Sequence, residues 1–363
     1  MTHDLPRLEP GTNRYGPTAA RPFDLARRPL PAGAVTVDMH SHVAVPAAHD
    51  LVAPVLDRST IPLLHFSTPD TAAINMRQDG ERRPLMLDPE KRLSEMDRFG
   101  LAHQVIMPTP FQCYYSLPDR ALAREATRMV NEGVAAFRDA APERFTALGG
   151  VVMSDPEAAT AELEFVMRDR GFRGVQILTS VNGLELSDPL FEPFWAAAER
   201  LGAVVLIHPN GFTQGERLSR YYFNNVIGNP LDTTVALHYL IFDGVLERYP
   251  GLKLVAVHGG GYLPAYSGRM DHAWGARADV HGDLPHPPTS YLRKVFFDSV
   301  VFTAEQLEAL VRIVGHGQVM MGTDYPYDMA EYDPVGHVLS SNLDTAATTA
   351  ILGGNARRLF DIG

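Results

Sequence analysis

The 363-residue chain predicts an α/β fold, specifically a (β/α)8 barrel of the TIM type with an N-terminal arm and an irregular segment inserted after the first strand. Two observations carry this expectation. From residue 88 onward, short apolar runs of strand length alternate with amphipathic stretches of helical length. Several of those apolar runs also stop at a histidine or an aspartate, as strands do where a barrel gathers its functional groups on one rim. The length suits one large domain, so the chain divides into an arm over 1–33 and a barrel over 34–363, within which 43–87 is an insertion or lid.

The elements follow in order. Ala34-Val35-Thr36-Val37 opens the first strand and runs into Asp38-Met39-His40-Ser41-His42. Pro89 to Phe99 reads as an amphipathic helix, Gln104 to Met107 as a strand, Arg120 to Arg138 as a helix and Phe145 to Met153 as a strand. A helix near 156–169, a strand at 173–179, a helix near 189–200 and a strand ending at His208 continue the alternation. A long helix near 229–247 precedes the strand ending at His258. Then come a helix near 262–275, a strand at 295–300, a helix near 304–314 and a strand ending at Asp324. Eight strands result. An open doubly wound sheet is the competing topology, but no G-x-G-x-x-G follows the first strand. Gly259-Gly260-Gly261 reads as a flexible strand-to-helix turn whose missing side chains leave room for a ligand.

Composition narrows the function. Lys and Arg total 32 against 43 Asp and Glu, a formal charge of −11, which argues against nucleic acid and anionic membranes as partners. An anionic substrate is compatible with this charge if arginines line its pocket. No apolar run reaches the length of a membrane span, and Met1 to Leu30 lacks the apolar core of a secretory signal, so a cytoplasmic protein is expected. Cys113 is the single cysteine, which excludes an internal disulfide and reads as a plain thiol.

His40 and His42 lie two residues apart on one strand, where regular side-chain alternation lets both rings reach one ion. In a barrel they meet His208 from strand five, His258 from strand six and Asp324 from strand eight. Three imidazoles and one carboxylate make a nitrogen and oxygen site suited to one divalent ion, zinc first, with manganese and iron less favoured. Such an ion lowers the pKa of a bound water from about 15.7 to about 7, and the remaining imidazole, His258, is then free for proton transfer.

These residues resemble the amidohydrolase superfamily, and within it the 2-amino-3-carboxymuconate-6-semialdehyde decarboxylase group. The resemblance covers most of 34–362 and rests on Asp38-Met39-His40-Ser41-His42, His208-Pro209, His258-Gly259-Gly260-Gly261, Gly268-Arg269 and Gly322-Thr323-Asp324-Tyr325-Pro326. It implies a metal held by His40, His42, His208 and Asp324, with His258 beside the metal-bound water and Asp324 also moving protons. It implies a decarboxylase of an unsaturated or aromatic carboxylic acid, or alternatively a hydrolase or hydratase of a ring-cleavage product. Arg83 resembles the family's substrate arginine, with Arg82 competing, and Arg269 resembles a second one that acts across a homodimer interface. Both suit a carboxylate, because the guanidinium fork binds it bidentately.

Two departures bear on the substrate. His208-Pro209-Asn210 stands where the group has His-Pro-Trp, and Tyr327 replaces a phenylalanine, so both Asn210 and Tyr327 add polarity beside the expected pocket. His49, His65, His238, His272 and His337 match no motif position and read as structural or surface groups.

Overall fold

The computed structural model describes residues 29–363, so most of the expected N-terminal arm lies outside the described residues. Eight strands form the barrel: β1 (Val37–Val43), β2 (His103–Pro108), β3 (Phe145–Ala147, resuming at Gly149–Gly150), β4 (Gly174–Leu178), β5 (Val204–His208), β6 (Lys253–Ala256), β7 (Val295–Asp298) and β8 (Val319–Met320). Each pairs in parallel with the next. The two parts of β3 are joined across Leu148, whose N–H donates to the Ile106 carbonyl at 2.9 Å. The chain beyond β8 closes the ring on β1: Met39 N–H donates to Met321 O at 2.9 Å, Asp324 N–H to His40 O at 2.8 Å and His42 N–H to Tyr325 O at 2.8 Å. A closed ring of this kind excludes the open doubly wound alternative.

The strands are apolar on both faces because each face is covered. Val37, Met39, Val105, Leu206, Val255 and Met320 fill the barrel interior, and Phe360 of the C-terminal helix packs with them. The alternate residues, Ile106, Val205, Ile207, Leu254 and Phe297 among them, pack outward with the helices. In β1 the pairing register with β2 shifts between Asp38 and Ser41. His40 therefore sits within a bulge and His42 just beyond it, a device that re-aims side chains beside functional sites.

The inserted segment is not irregular. It contains α1 (Pro46–Val52), α2 (Pro62–His65) and the 19-residue α3 (Pro69–Leu87), with a single 3-10 turn at Arg58–Thr60. The usual amphipathic signature is missing from α3 because Asn75, Asp79, Arg82 and Met86, spaced along one helical face, line a cavity. Gly80 and Pro84 lie within it as well, and Pro84 falls in its last turns.

The regular helices obey ordinary end rules. Asp88 accepts hydrogen bonds from Glu90 and Lys91 to start α4 (Pro89–Phe99), which ends at left-handed Gly100. Asp119 and Asp155 cap α5 (Arg120–Asp139) and α6 (Pro156–Arg168), and Gly202 ends α7 (Glu192–Leu201). The long helix expected near 229–247 is α8 (Asn229–Phe242) and a separate turn, Val245–Arg248, parted at Gly244 with φ +72°. The stretch near 262–275 is likewise two helices, Leu263–Tyr266 and Gly268–Ala276. Among the described residues, no helix is long and apolar enough to cross a membrane.

The triple glycine after β6 serves packing rather than ligand access. Gly261 has φ +66°, and a Cβ there would lie 2.1 Å from the Pro230 carbonyl oxygen, so α8 occupies the space a side chain would need. Gly261→Ala should therefore destabilise the protein by about 2 kcal/mol or more, combining a left-handed backbone with a backbone clash. Gly171→Ala, also left-handed at φ +65° but with open space around it, isolates the conformational part. Thermal unfolding should show a clearly larger loss for Gly261→Ala; equal losses would contradict the packing account.

Candidate active site

The five strand-end residues converge as the sequence suggests, and Asp324 is their centre. His42 Nε2 lies 3.0 Å from Asp324 Oδ1, His40 Nε2 3.5 Å and His208 Nε2 3.7 Å from the same oxygen. His258 approaches the other oxygen, with Nε2 3.3 Å from Oδ2. His40 and His42 face each other with their Nε2 atoms 3.2 Å apart. Both His258 and Asp324 have left-handed backbone, φ +54° and +62°, a conformation that costs a non-glycine residue about 1–3 kcal/mol and clusters at functional sites.

The outer nitrogens fix which atom each ring turns inward. His40 Nδ1 meets Asp298 Oδ2 at 2.8 Å, His42 Nδ1 meets the Pro108 carbonyl at 3.0 Å, and His208 Nδ1 meets the Pro209 carbonyl at 2.6 Å. With Nδ1 donating outward, a neutral ring keeps its Nε2 lone pair available for a cation beside Asp324. His208 Nε2 is buried without a hydrogen-bond partner, as is His258 Nδ1.

Burial pushes His208 down to about 3 and also lowers His42, so both rings are neutral at pH 7. Burial acts against charge on His40 too, but Asp324 and Asp298 outweigh it and raise that group. Burial alone would raise the Asp324 carboxyl; the charge on His40 and the imidazole hydrogen bonds hold it well below the usual carboxylate range.

This donor set fits a divalent cation. A tetrahedral ion with bonds of about 2.1 Å separates its ligands by about 3.4 Å. The distances of 3.0 to 3.7 Å from Asp324 Oδ1 to the three nitrogens, with 3.2 Å between those of His40 and His42, bracket that value. A second tetrad overlaps it: single ligand atoms of His40, His208, His258 and Asp324 all lie within 4.8 Å of one another. The first set is the better centred, because its three rings surround one carboxylate oxygen whereas His258 meets the other.

Two supporting carboxylates were not singled out as site residues in the sequence. Asp298, at the end of β7, accepts from the N–H of Gly259 at 2.8 Å and of Val300 at 3.2 Å as well as bonding His40. It ends an apolar strand as the recognised residues do, which was the available signal. Asp38 accepts from His40 N–H at 3.0 Å and from Gln104 and Thr323, each at 2.7 Å. Arg92, fully buried in α4, donates to the His42 carbonyl at 2.5 Å and the Leu85 carbonyl at 2.8 Å, tying the end of α3 to β1.

His208 and Asp324 open into a cavity of about 330 Å³ whose wall includes Arg82, Arg83, Asn210 and Tyr327. Arg83 is exposed at the cavity margin, while Arg82 is buried, paired with Asp79, with its guanidinium 4.8 Å above the Tyr327 ring. Tyr327 bonds Thr109 at 2.5 Å and stacks edgewise on His42. Asn210 donates to Pro110 O at 3.4 Å, and its Oδ1 is buried without a partner. Arg269 lies exposed on Gly268–Ala276 and is absent from this cavity's wall. His49, expected to be structural or surface, is an exposed residue at the cavity wall. Burial pushes the Cys113 thiol up to about 12, consistent with an unreactive group.

The amidohydrolase family model matches residues 37–362. A 2-amino-3-carboxymuconate-6-semialdehyde decarboxylase from Dictyostelium discoideum is 35% identical over 273 residues, covering 74% of this chain and 75% of the relative. A gamma-resorcylate decarboxylase from Rhizobium sp. (strain MTP-10005) is 26% identical over 299 residues, 75% of this chain and 87% of the relative. Among solved structures, 5-carboxyvanillate decarboxylase from Sphingomonas paucimobilis shares the fold with a TM-score of 0.79 at 24% identity, over 91% of this chain and all of that one (100%). The enzyme of that name from Novosphingobium aromaticivorans, solved with manganese and 4-hydroxy-3-methoxy-5-nitrobenzoic acid, gives 0.79 at 22% identity, over 91% of this chain and 96% of that one. With its barrel, its strand-end histidines and a family match spanning nearly all the described residues, this chain belongs to the amidohydrolase family.

Proposed function

We propose that this protein is a metal-dependent, non-oxidative decarboxylase of an aromatic or unsaturated carboxylic acid, acting in the cytoplasm as a homodimer. The observation that carries the reading is the gathering of three Nε2 atoms around Asp324 Oδ1 beside an arginine-bearing cavity. In this reading His40, His42, His208 and Asp324 hold one divalent ion. Zinc suits the donors, and manganese is the alternative, as in the solved carboxyvanillate enzyme. When bound, the ion supplies a Lewis acid that orients and polarises oxygens of the substrate.

The reaction exchanges a carboxylate for a proton: the carbon–carbon bond breaks, its electron pair stays on the substrate carbon, carbon dioxide leaves and a proton joins that carbon. His258, 3.3 Å from Asp324 Oδ2 and with a free Nδ1, is placed to move that proton in concert with the carboxylate. Arg83 at the margin and Arg82 deeper in the wall are the candidate carboxylate partners, with Asn210 and Tyr327 shaping the pocket. Arg269 cannot serve its own cavity from its exposed helix, which supports a role for the partner's Arg269 in a shared site.

Carbon dioxide release tests the reaction class, using 2-hydroxybenzoate, 2,6-dihydroxybenzoate, 5-carboxyvanillate and 2-amino-3-carboxymuconate-6-semialdehyde as candidate substrates. Product formation without carbon dioxide would select a hydrolase or hydratase instead. Elemental analysis should find one divalent ion per chain. His42→Ala should lose most of that metal, whereas His258→Ala should keep it yet lose turnover by about 10²–10⁴-fold. The reverse pattern would make His258 the ligand.

Mixing Arg269→Ala with His258→Ala under subunit exchange should restore activity, because one site of the mixed dimer then carries neither defect. Verified heterodimers that stay inactive would refute the shared site.

A further inference from the structure

A second cavity, of about 390 Å³, adjoins the catalytic one, and Leu56, Ile61, Phe111 and Asn210 line both. Asn210 therefore stands in the partition between them. The second chamber has a mixed wall to which the polar residues Thr60, Ser116, Thr179, Asn182 and Asp232 contribute. Strand register places it close to the metal side, since Leu178 at the end of β4 pairs with His208 of β5. Thr179 thus directly follows the residue that pairs with a proposed ligand on the neighbouring strand.

Asp232 is the unusual group in this chamber. It lies in the first turn of α8, only 7% exposed, and takes a hydrogen bond from the Thr179 hydroxyl. Among the described residues no cation pairs with it and no other hydrogen bond reaches its carboxylate. Burial, with a contribution from Glu185, pushes it up to about 7. A buried carboxyl so thinly partnered is costly unless something else satisfies it. On the partition itself, Asn210 Oδ1 is buried without a partner. Two acceptors thus lie along one path leading away from the catalytic cavity.

We infer that Asn210, Thr179 and Asp232 form a specificity subsite for a hydrogen-bond-donating substituent, an amino or hydroxyl group, carried by the substrate on the side opposite its reacting carboxylate. The inference rests on the decarboxylase reading and deepens it by naming the substrate class. The carboxylate end stays with the arginines and the metal side. The far substituent passes the small amide of Asn210, where a large aromatic side chain would fill the partition, and donates to the Asp232 carboxylate, which the Thr179 hydroxyl holds in place. Cys113 also lines the chamber, but its raised thiol takes no part.

Calorimetric titration of the metal-loaded protein tests this with three acids: 2-hydroxybenzoate, 4-amino-2-hydroxybenzoate and 4-methoxy-2-hydroxybenzoate. The methoxy group matches the amino group in position but cannot donate. The wild type should bind the amino acid about tenfold more tightly than the methoxy acid, the scale of a hydrogen bond to a charged or buried acceptor. Asp232→Ala should bring that ratio close to one. Asn210→Trp should do the same by closing the partition while leaving Asp232 in place, which covers the case in which Asp232→Ala fails to fold. Metal content verifies that each variant retains its site.

A wild-type ratio near one, or an unchanged ratio in a folded variant, overturns the subsite while leaving the decarboxylase reading intact. Failure of all three acids to bind the metal-loaded wild type also overturns the subsite, whereas the decarboxylase reading fails separately, on absence of carbon dioxide release from every candidate substrate.

Discussion

One carboxylate surrounded by four imidazoles is the constraint on which the rest of this molecule depends. Asp324 receives His40, His42 and His208 on one oxygen and His258 on the other. Imidazoles from three strand ends, those of β1, β5 and β6, must arrive with their Nε2 atoms inward around an aspartate that follows β8, so the barrel has to close with a fixed register between β1 and the chain after β8. The three hydrogen bonds from Met39, His42 and Asp324 that close it set that register and place the ligands in the same stroke. Left-handed backbone at His258 and Asp324 persists because surrounding structure determines it.

A wider set of buried groups holds the rings in position. Asp298 ties His40 to the turn after β6, and the Pro108 carbonyl orients His42. Arg92 carries the connection outward, from the His42 carbonyl to the end of α3, whose inner face lines the cavity. The segment expected to be an irregular insertion or lid is thereby fastened, through α3, directly to the strand that bears two proposed ligands. On this architecture, changes in the inserted segment should be felt at the site.

What could be read from the sequence, and what could not, has physical causes. Apolar runs ending in His208, His258 and Asp324 were legible because a doubly covered strand has no other reason to stop at a titratable group. Asp298 ended its strand in the same way but was hidden because it is a partner of a ligand-type residue and belongs to no motif with it. The helix α3 was illegible because its inward face is polar: Asn75, Asp79 and Arg82 meet a cavity instead of a core. Arg82 and Arg83 could not be ranked from spacing, since adjacent helical positions diverge by about 100° and only the fold shows which is buried. Gly261 looked like an opening for a ligand, yet close approach of the Pro230 carbonyl explains it.

The central claim is that three imidazole nitrogens and one carboxylate oxygen hold a divalent ion at Asp324. X-ray absorption at the metal edge of the loaded protein tests it most directly. The account predicts a first shell of nitrogen and oxygen alone at about 2.0–2.2 Å, with outer-shell scattering from about three imidazoles, and from about one fewer in the small fraction of metal that His42→Ala retains. A sulfur ligand, the absence of imidazole scattering, or a spectrum unchanged by His42→Ala would contradict it.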